Sequence, residues 1–227
     1  AAAATTPTGK LAISLPAAHQ SHRIILASAS PRRKELLTLL SPTLTFCAVA
    51  SPFDESSLKP LKESMSPDEY VTLSARSKAS AYLSKVRSDG LDDFKTPMLV
   101  IGADTVVVTA DDVILEKPVD AADAVGMLEG LSGTRHRVVT GVCVVVSSGG
   151  EGVVEEFAET TNVQFRELEE GDILRYVETG EPMDKAGGYG IQGYGGQFVQ
   201  GIEGDYYNVV GLPVGRVSEV LRRVLLK

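Results

Sequence analysis

The chain has 227 residues, 43% of them hydrophobic, which is enough to bury a core as one large domain or as two small lobes sharing a sheet. A net charge of −8 excludes the broad basic surface of a duplex nucleic-acid binder, but not a local basic cluster that takes a small anion. The longest apolar run, Pro97 to Val108, carries Asp104 and is too short to span a bilayer, so no membrane partner is expected. Two cysteines, Cys47 and Cys143, cannot staple a domain of this size and fit a reducing, cytoplasmic compartment. The three histidines have no metal-ligand spacing, which argues against zinc.

Residues 1–22, rich in Ala, Thr, Ser and Pro, read as a mobile tail before a single domain over 23–227. Arg23 to Ser28 is strand-like. Ser30 then caps a helix that has Pro31 at its first position and runs to Leu40. Thr43 to Ala50 is expected as a second strand and Ser51 to Ser64 as a loop. Ser66-Pro67-Asp68-Glu69 has capping-box spacing and starts a helix that ends near Gly90. Pro97 to Val108 is a strand, turned by Ala110-Asp111-Asp112 into Val113 to Leu115. Asp120 caps a helix through Gly130.

Arg137 to Ser147 and Val153 to Arg166, joined at Ser148-Gly149-Gly150, read as a long antiparallel hairpin. A short helix spans Glu170 to Glu178, and Pro213 opens a C-terminal helix that ends near Leu226. Eleven of the 22 glycines fall between Gly180 and Gly215, where backbone geometry must outweigh side-chain packing. Early alternation of helix and strand followed by a hairpin predicts a mixed-sheet α/β fold.

Six stretches carry chemistry. In Ser28-Ala29-Ser30-Pro31-Arg32-Arg33, free backbone N–H groups meet a helix dipole that favours an anion. Two arginines there have the wrong sign for the dipole, so either a bound phosphate chain or distant acids must accompany them. Asp104 sits inside a strand and must be paired, metal-bound or at an exposed end. Lys78 shares a helical face with Val71, Ala75 and Tyr82, and either snorkels to the surface or reaches a cleft. Lys117, before Pro118, and the acidic pair Asp54-Glu55 read as ordinary loop residues or as cleft residues. Gly180 to Gly196 reads as a tight loop or as a ligand wall, on which Gln192 offers a donor and an acceptor to a base edge.

Taken together, the stretches resemble the Maf family of nucleotide pyrophosphatases. The resemblance rests on Ser28 to Arg33, Gly102-Ala103-Asp104-Thr105, Glu116-Lys117-Pro118, Leu131-Ser132-Gly133-Thr134, Asp184 to Gly193 and Val209-Val210-Gly211-Leu212-Pro213, six motifs in the family's order. It implies an elongated, twisted mixed sheet flanked by helices, with two lobes around a nucleotide cleft. It also implies hydrolysis of a nucleoside triphosphate to the monophosphate and pyrophosphate with a divalent cation, magnesium or manganese. Asp104 matches the general base, and Arg32, Thr105 and Gln192 match positions that govern substrate choice. Ser28 falls in the phosphate-binding motif, while Arg33, Glu55, Lys78 and Lys117 match the polar lining of the cleft. Glu55 and Asp104 are the expected metal ligands.

The Asp-Lys-Ala-Gly form of the glycine-rich motif is similar to the branch acting on dTTP and UTP, normal or modified. A homodimer and a link to arrest of cell division are further expectations from the family. Two rivals remain at this point. One is an aspartyl-nucleophile phosphatase, although Val106 stands where such enzymes want a second acid. The other is a regulator of cell division that binds nucleotide without hydrolysing it.

Overall fold

A computed structural model describes residues 22–91, 96–147 and 151–225. Residues 1–21 of the expected tail, the Ser148-Gly149-Gly150 turn and the end of the last helix at Leu226 lie outside the described residues. Among those described, the strands form one seven-stranded mixed sheet in the order β2-β1-β3-β5-β6-β7, with β4 also on β3. β1 (Arg23–Ala27) runs parallel to both β2 (Phe46–Val49) and β3 (Met98–Val108). The remaining pairings, through β4 (Ile114–Leu115), β5 (Arg135–Ser147), β6 (Glu151–Phe165) and β7 (Val199–Glu203), are antiparallel.

β3 organises the molecule. Its side chains alternate between the two faces, as a strand requires. In its first half, Leu99, Ile101 and Ala103 pack with α1 (Pro31–Thr38) and α6 (Val214–Leu225), while Met98 and Val100 pack with α2 (Pro67–Ser88). In its second half the neighbours change. Val107 joins α3 (Ala121–Leu131) and α4 (Glu170–Glu178), and Val106 and Val108 join Leu58, Tyr70 and Val71. Asp104 and Thr105 fall at the junction and are the two partly exposed residues of the strand. β1 pairs with β3 through Ile101, and β4 begins at Val107, so residues 102–106 have no strand beside them on that edge. A polar pair is tolerated in a central strand because it lies at this gap.

α2 is built as its sequence dictates. Ser66 Oγ accepts from the Glu69 amide, and Glu69 Oε2 accepts from the Ser66 amide at 2.9 Å. Such a cap contributes about 1 kcal/mol. The buried face, Tyr70, Val71, Ala75, Ala79 and Leu83, presses on the sheet. It comes unusually close. A Cβ on Gly102 would stand 2.0 Å from the Ala75 carbonyl oxygen, and one on Gly141 would stand 2.3 Å from the Val71 carbonyl. Both positions admit glycine alone.

Three expectations are modified. β2 is shorter than Thr43 to Ala50, because Ser41 Oγ accepts from the Thr43 amide and holds a turn there instead. The loop Ser51 to Ser64 contains a 3-10 helix, Glu55–Leu61, which is capped by Asp54 and buries Leu58. The glycine-rich region carries edge strand β7 and the short helix α5 (Tyr206–Val210). Among the described residues no helix is long and apolar enough to cross a membrane.

Candidate active site

The gap beside β3 opens into a cavity of about 340 Å³. Ser28, Arg32, Arg33, Glu55, Lys78, Asp104, Thr105, Lys117 and Gln192 all line it, so the residues singled out from sequence converge on one place. Five basic side chains, Arg32, Arg33, Lys78, Lys117 and Lys185, face three carboxylates, Glu55, Asp104 and Asp184. A protein of net charge −8 thus concentrates an excess of positive charge in one cleft, which suits a polyanion.

At the floor, Lys78 reaches up from α2 with only 7% of its side chain exposed. Its Nζ donates to Asp104 Oδ1 at 2.8 Å and stands 3.1 Å from Glu55 Oε1. The Ser51 hydroxyl donates to the Lys78 carbonyl and ties the preceding loop to the helix. Burial pushes the Asp104 pKa up, but Lys78 and Arg33 outweigh it, and the carboxyl is held below its usual range. Asp104 is therefore ionised at neutral pH.

On the opposite face of β3, Arg33 leaves the first turn of α1 and donates to the Gly211 carbonyl at 2.9 Å and to Thr105 Oγ1 at 2.8 Å. Its burial lowers the guanidinium pKa, while Asp104 and Glu55 counter that effect. Ser30 caps the helix, accepting from the Arg33 amide, and Ser28 Oγ accepts from the Ser30 amide at 3.2 Å. The start of α1, from Ser28 to Arg33, thus lines the cavity.

The far wall is the glycine-rich segment. Arg32 bridges to it, donating to Asp184 Oδ2 at 2.9 Å, and Lys185 Nζ donates to Asp184 Oδ1 at 2.6 Å. Gly187 has φ +65°, and a Cβ there would meet Val107 Cβ at 2.7 Å. Gln192 and Lys117 are exposed, and among the described residues neither makes a side-chain hydrogen bond or ion pair. Behind this wall, buried His136 Nε2 and the Tyr189 hydroxyl share a 2.8 Å hydrogen bond. Burial pushes His136 down to about 4, so it is neutral.

Sequence reasoning had given no role to Asp184, Lys185 or Ser51, all of which line the cavity. Asp184 and Lys185 belong to a recognised motif and carried a signal there, whereas Ser51 carried none. Val106, two residues beyond Asp104, is buried away from the cavity, so no second acid stands where an aspartyl phosphatase needs one.

An α/β protein whose sheet opens on an anion-seeking cleft is a class with many members, and the sequence comparisons narrow it. The profile described as "Maf-like protein" matches residues 23–224. The chain belongs to the Maf family. It is 46% identical over 202 residues to a Geobacillus protein named dTTP/UTP pyrophosphatase, covering 89% of this chain and 98% of the relative. A protein of the same name from Koribacter versatilis is 46% identical, covering 88% of this chain and 93% of the relative. One from Clostridium beijerinckii is 44% identical, covering 89% and 99%.

Proposed function

We propose that this cleft hydrolyses dTTP and UTP, or modified pyrimidine counterparts, to the monophosphate and pyrophosphate. The observation that carries the reading is Asp104, fixed on the cavity floor by Lys78 at 2.8 Å within a ring of five basic side chains. The names of the relatives support the substrate class.

The triphosphate lies along the basic ring with its α-phosphorus over Asp104. A water beside Asp104 attacks in line. A new P–O bond forms as the bond to the bridging oxygen breaks, pyrophosphate leaves with the electron pair, and Asp104 accepts the water's proton. A carboxylate held by Lys78 is a weak base when the cleft is empty. The charge of the bound triphosphate raises its pKa at the moment a base is needed. Arg32, Lys78, Lys117 and the end of α1 offset the charge of the leaving pyrophosphate. Arg33 is tied to Thr105 and Gly211, so it holds the walls in register while lending its charge. The Thr105 hydroxyl is engaged by Arg33 and Thr140, so its influence on substrate choice passes through Arg33. Gln192, with both amide groups free, reads the base.

Glu55 and Asp104 are the residues that would hold a divalent cation. Their carboxylates already converge on one positive atom, Lys78 Nζ. Among the described residues no cluster of three or more acidic, histidine or cysteine ligands is present. Two carboxylates completed by substrate phosphates and water suit magnesium or manganese. When bound, such an ion supplies charge neutralisation and a more acidic water.

The test is incubation with UTP, dTTP and magnesium, scored for pyrophosphate. Asp104→Asn should lower kcat by about a thousandfold while nucleotide affinity changes by no more than a few-fold. Wild-type binding without pyrophosphate release would leave a nucleotide sensor instead. Two free thiols fit a cytoplasmic enzyme. A homodimer is part of the same reading, and sedimentation at micromolar concentration checks it.

A further inference from the structure

Gln192 sits in a turn closed by the Gly193 amide donating to the Gly190 carbonyl at 3.3 Å, and two side chains outside the cavity hold both flanks of that turn. The Tyr176 hydroxyl, on α4, accepts from the Gly190 amide at 3.2 Å and donates to Glu181 Oε1 at 3.0 Å. The Glu181 carboxylate accepts from the Tyr194 amide at 2.9 Å and from the Gly195 amide at 3.2 Å. The chain between these pins is Ile191, Gln192 and Gly193. The fit is close, since a Cβ on Gly193 would fall 2.3 Å from the Glu181 carboxylate and one on Gly195 would fall 2.7 Å from the Tyr176 hydroxyl. Lys185 Nζ donates to the Glu181 carbonyl at 2.6 Å and fixes the backbone that carries the acid. Neither Tyr176 nor Glu181 lines the cavity. Tyr176 is anchored from behind, its ring edge-to-face with Phe198 at 5.0 Å. Burial raises the phenol pKa, so the hydroxyl keeps the proton it donates.

We propose that Tyr176 and Glu181 form a brace that aims Gln192 into the cleft and thereby sets which nucleobase the enzyme accepts. The inference rests on the pyrimidine triphosphate reading above. Both are positioning residues, since they act only through the loop. A carboxylate that takes two backbone N–H groups fixes the loop more firmly than a neutral acceptor, because charge-assisted bonds are about twice as strong. Glu181→Gln keeps one good acceptor and presents a donor to the other amide, so it retains part of the geometry.

Two measurements test it. In steady-state kinetics, the UTP-over-CTP ratio of kcat/KM should fall about tenfold in Glu181→Ala, the loss expected for one or two charge-assisted hydrogen bonds. The fall should come mainly through KM for UTP and be partly restored in Glu181→Gln. In a Gln192→Ala background, Glu181→Ala should change the ratio no further, as expected for residues that act as one unit. An unchanged ratio, an equal loss for every nucleotide, or a full additional loss in the double variant would overturn the brace. The second measurement is amide hydrogen exchange over residues 190–195 in the absence of nucleotide. Exchange should be slow in the wild type and faster in Glu181→Ala and Tyr176→Phe. Equal exchange rates would overturn the brace even if no nucleotide were turned over, so its failure is distinguishable from failure of the activity.

Discussion

On one wall of the cleft, α1, α2 and β3 present charged side chains from regular elements, and the spacing of those charges is the spacing of helix turns and strand registers. On the other wall, between Gly180 and Gly211, the surface is backbone shaped by glycines at positive φ, with Gln192 held up by Tyr176 and Glu181. The first wall resembles a fixed electrode, and it suits phosphates, which differ little between nucleotides. The second resembles a mould, and it suits a flat base, where shape and one amide decide the fit. On the proposed reading, charge handles what all substrates share and backbone handles what separates them.

Breaking the electrode should have the largest effect. Lys78→Met removes the larger of the two cations that offset Asp104's burial and leaves Arg33 alone against it, so the Asp104 pKa rises from its wild-type position. The acid limb of kcat/KM, which in the wild type lies below the ordinary carboxylate value of about 4, should move to higher pH. Activity at pH 7 should fall by about a hundred- to a thousandfold. A pH–rate profile checks both, and an acid limb that stays in place would refute the role of Lys78.

Breaking the mould needs no change of charge. Gly187→Ala forces a Cβ against Val107 at a φ of +65°. It should lower unfolding free energy by about 3 kcal/mol. Urea denaturation measures it, and the acid limb of the pH profile should not shift. A loss below about 0.5 kcal/mol would mean that the wall yields easily.

The smallest effect sharpens the contrast where the walls meet. The Arg32–Asp184 pair is 26% and 59% exposed, so Asp184→Asn should change stability by less than about 1 kcal/mol. Removing one negative charge from the rim should lower KM for a triphosphate by about two- to fivefold, and more so at low salt. A KM that rises would show that Asp184 supports Arg32 rather than competing for it.

The same contrast explains what the sequence made legible. The electrode wall was readable because regular elements announce themselves. Ser66 to Glu69 marked the start of α2, the apolar run marked β3, and Asp104 and Lys78 stood out against apolar neighbours. The mould was readable as glycine density, as the Asp184 to Gly193 motif and as Gln192, but not as local structure. β7, with Gly201 in its middle, and α5, only five residues long, have no periodicity to detect. The bonds from Tyr176 and Glu181 to loop amides arise from folding and leave no spacing signature. The partnership of Arg33 with Thr105 and Gly211 was hidden for the same reason, since it joins residues 72 and 178 positions apart.

Gly102 and Gly141 bear on all of this without touching a substrate. Each is a missing shim between α2 and the sheet. A methyl inserted 2.0 Å from the Ala75 oxygen must push the helix back by more than about 1 Å to restore ordinary contact. Lys78 lies one turn further along that helix. The same wedge would lift its ammonium from Asp104 and let water between them. The acidity of the Asp104 carboxylate thus depends in part on how thinly two layers of backbone are stacked.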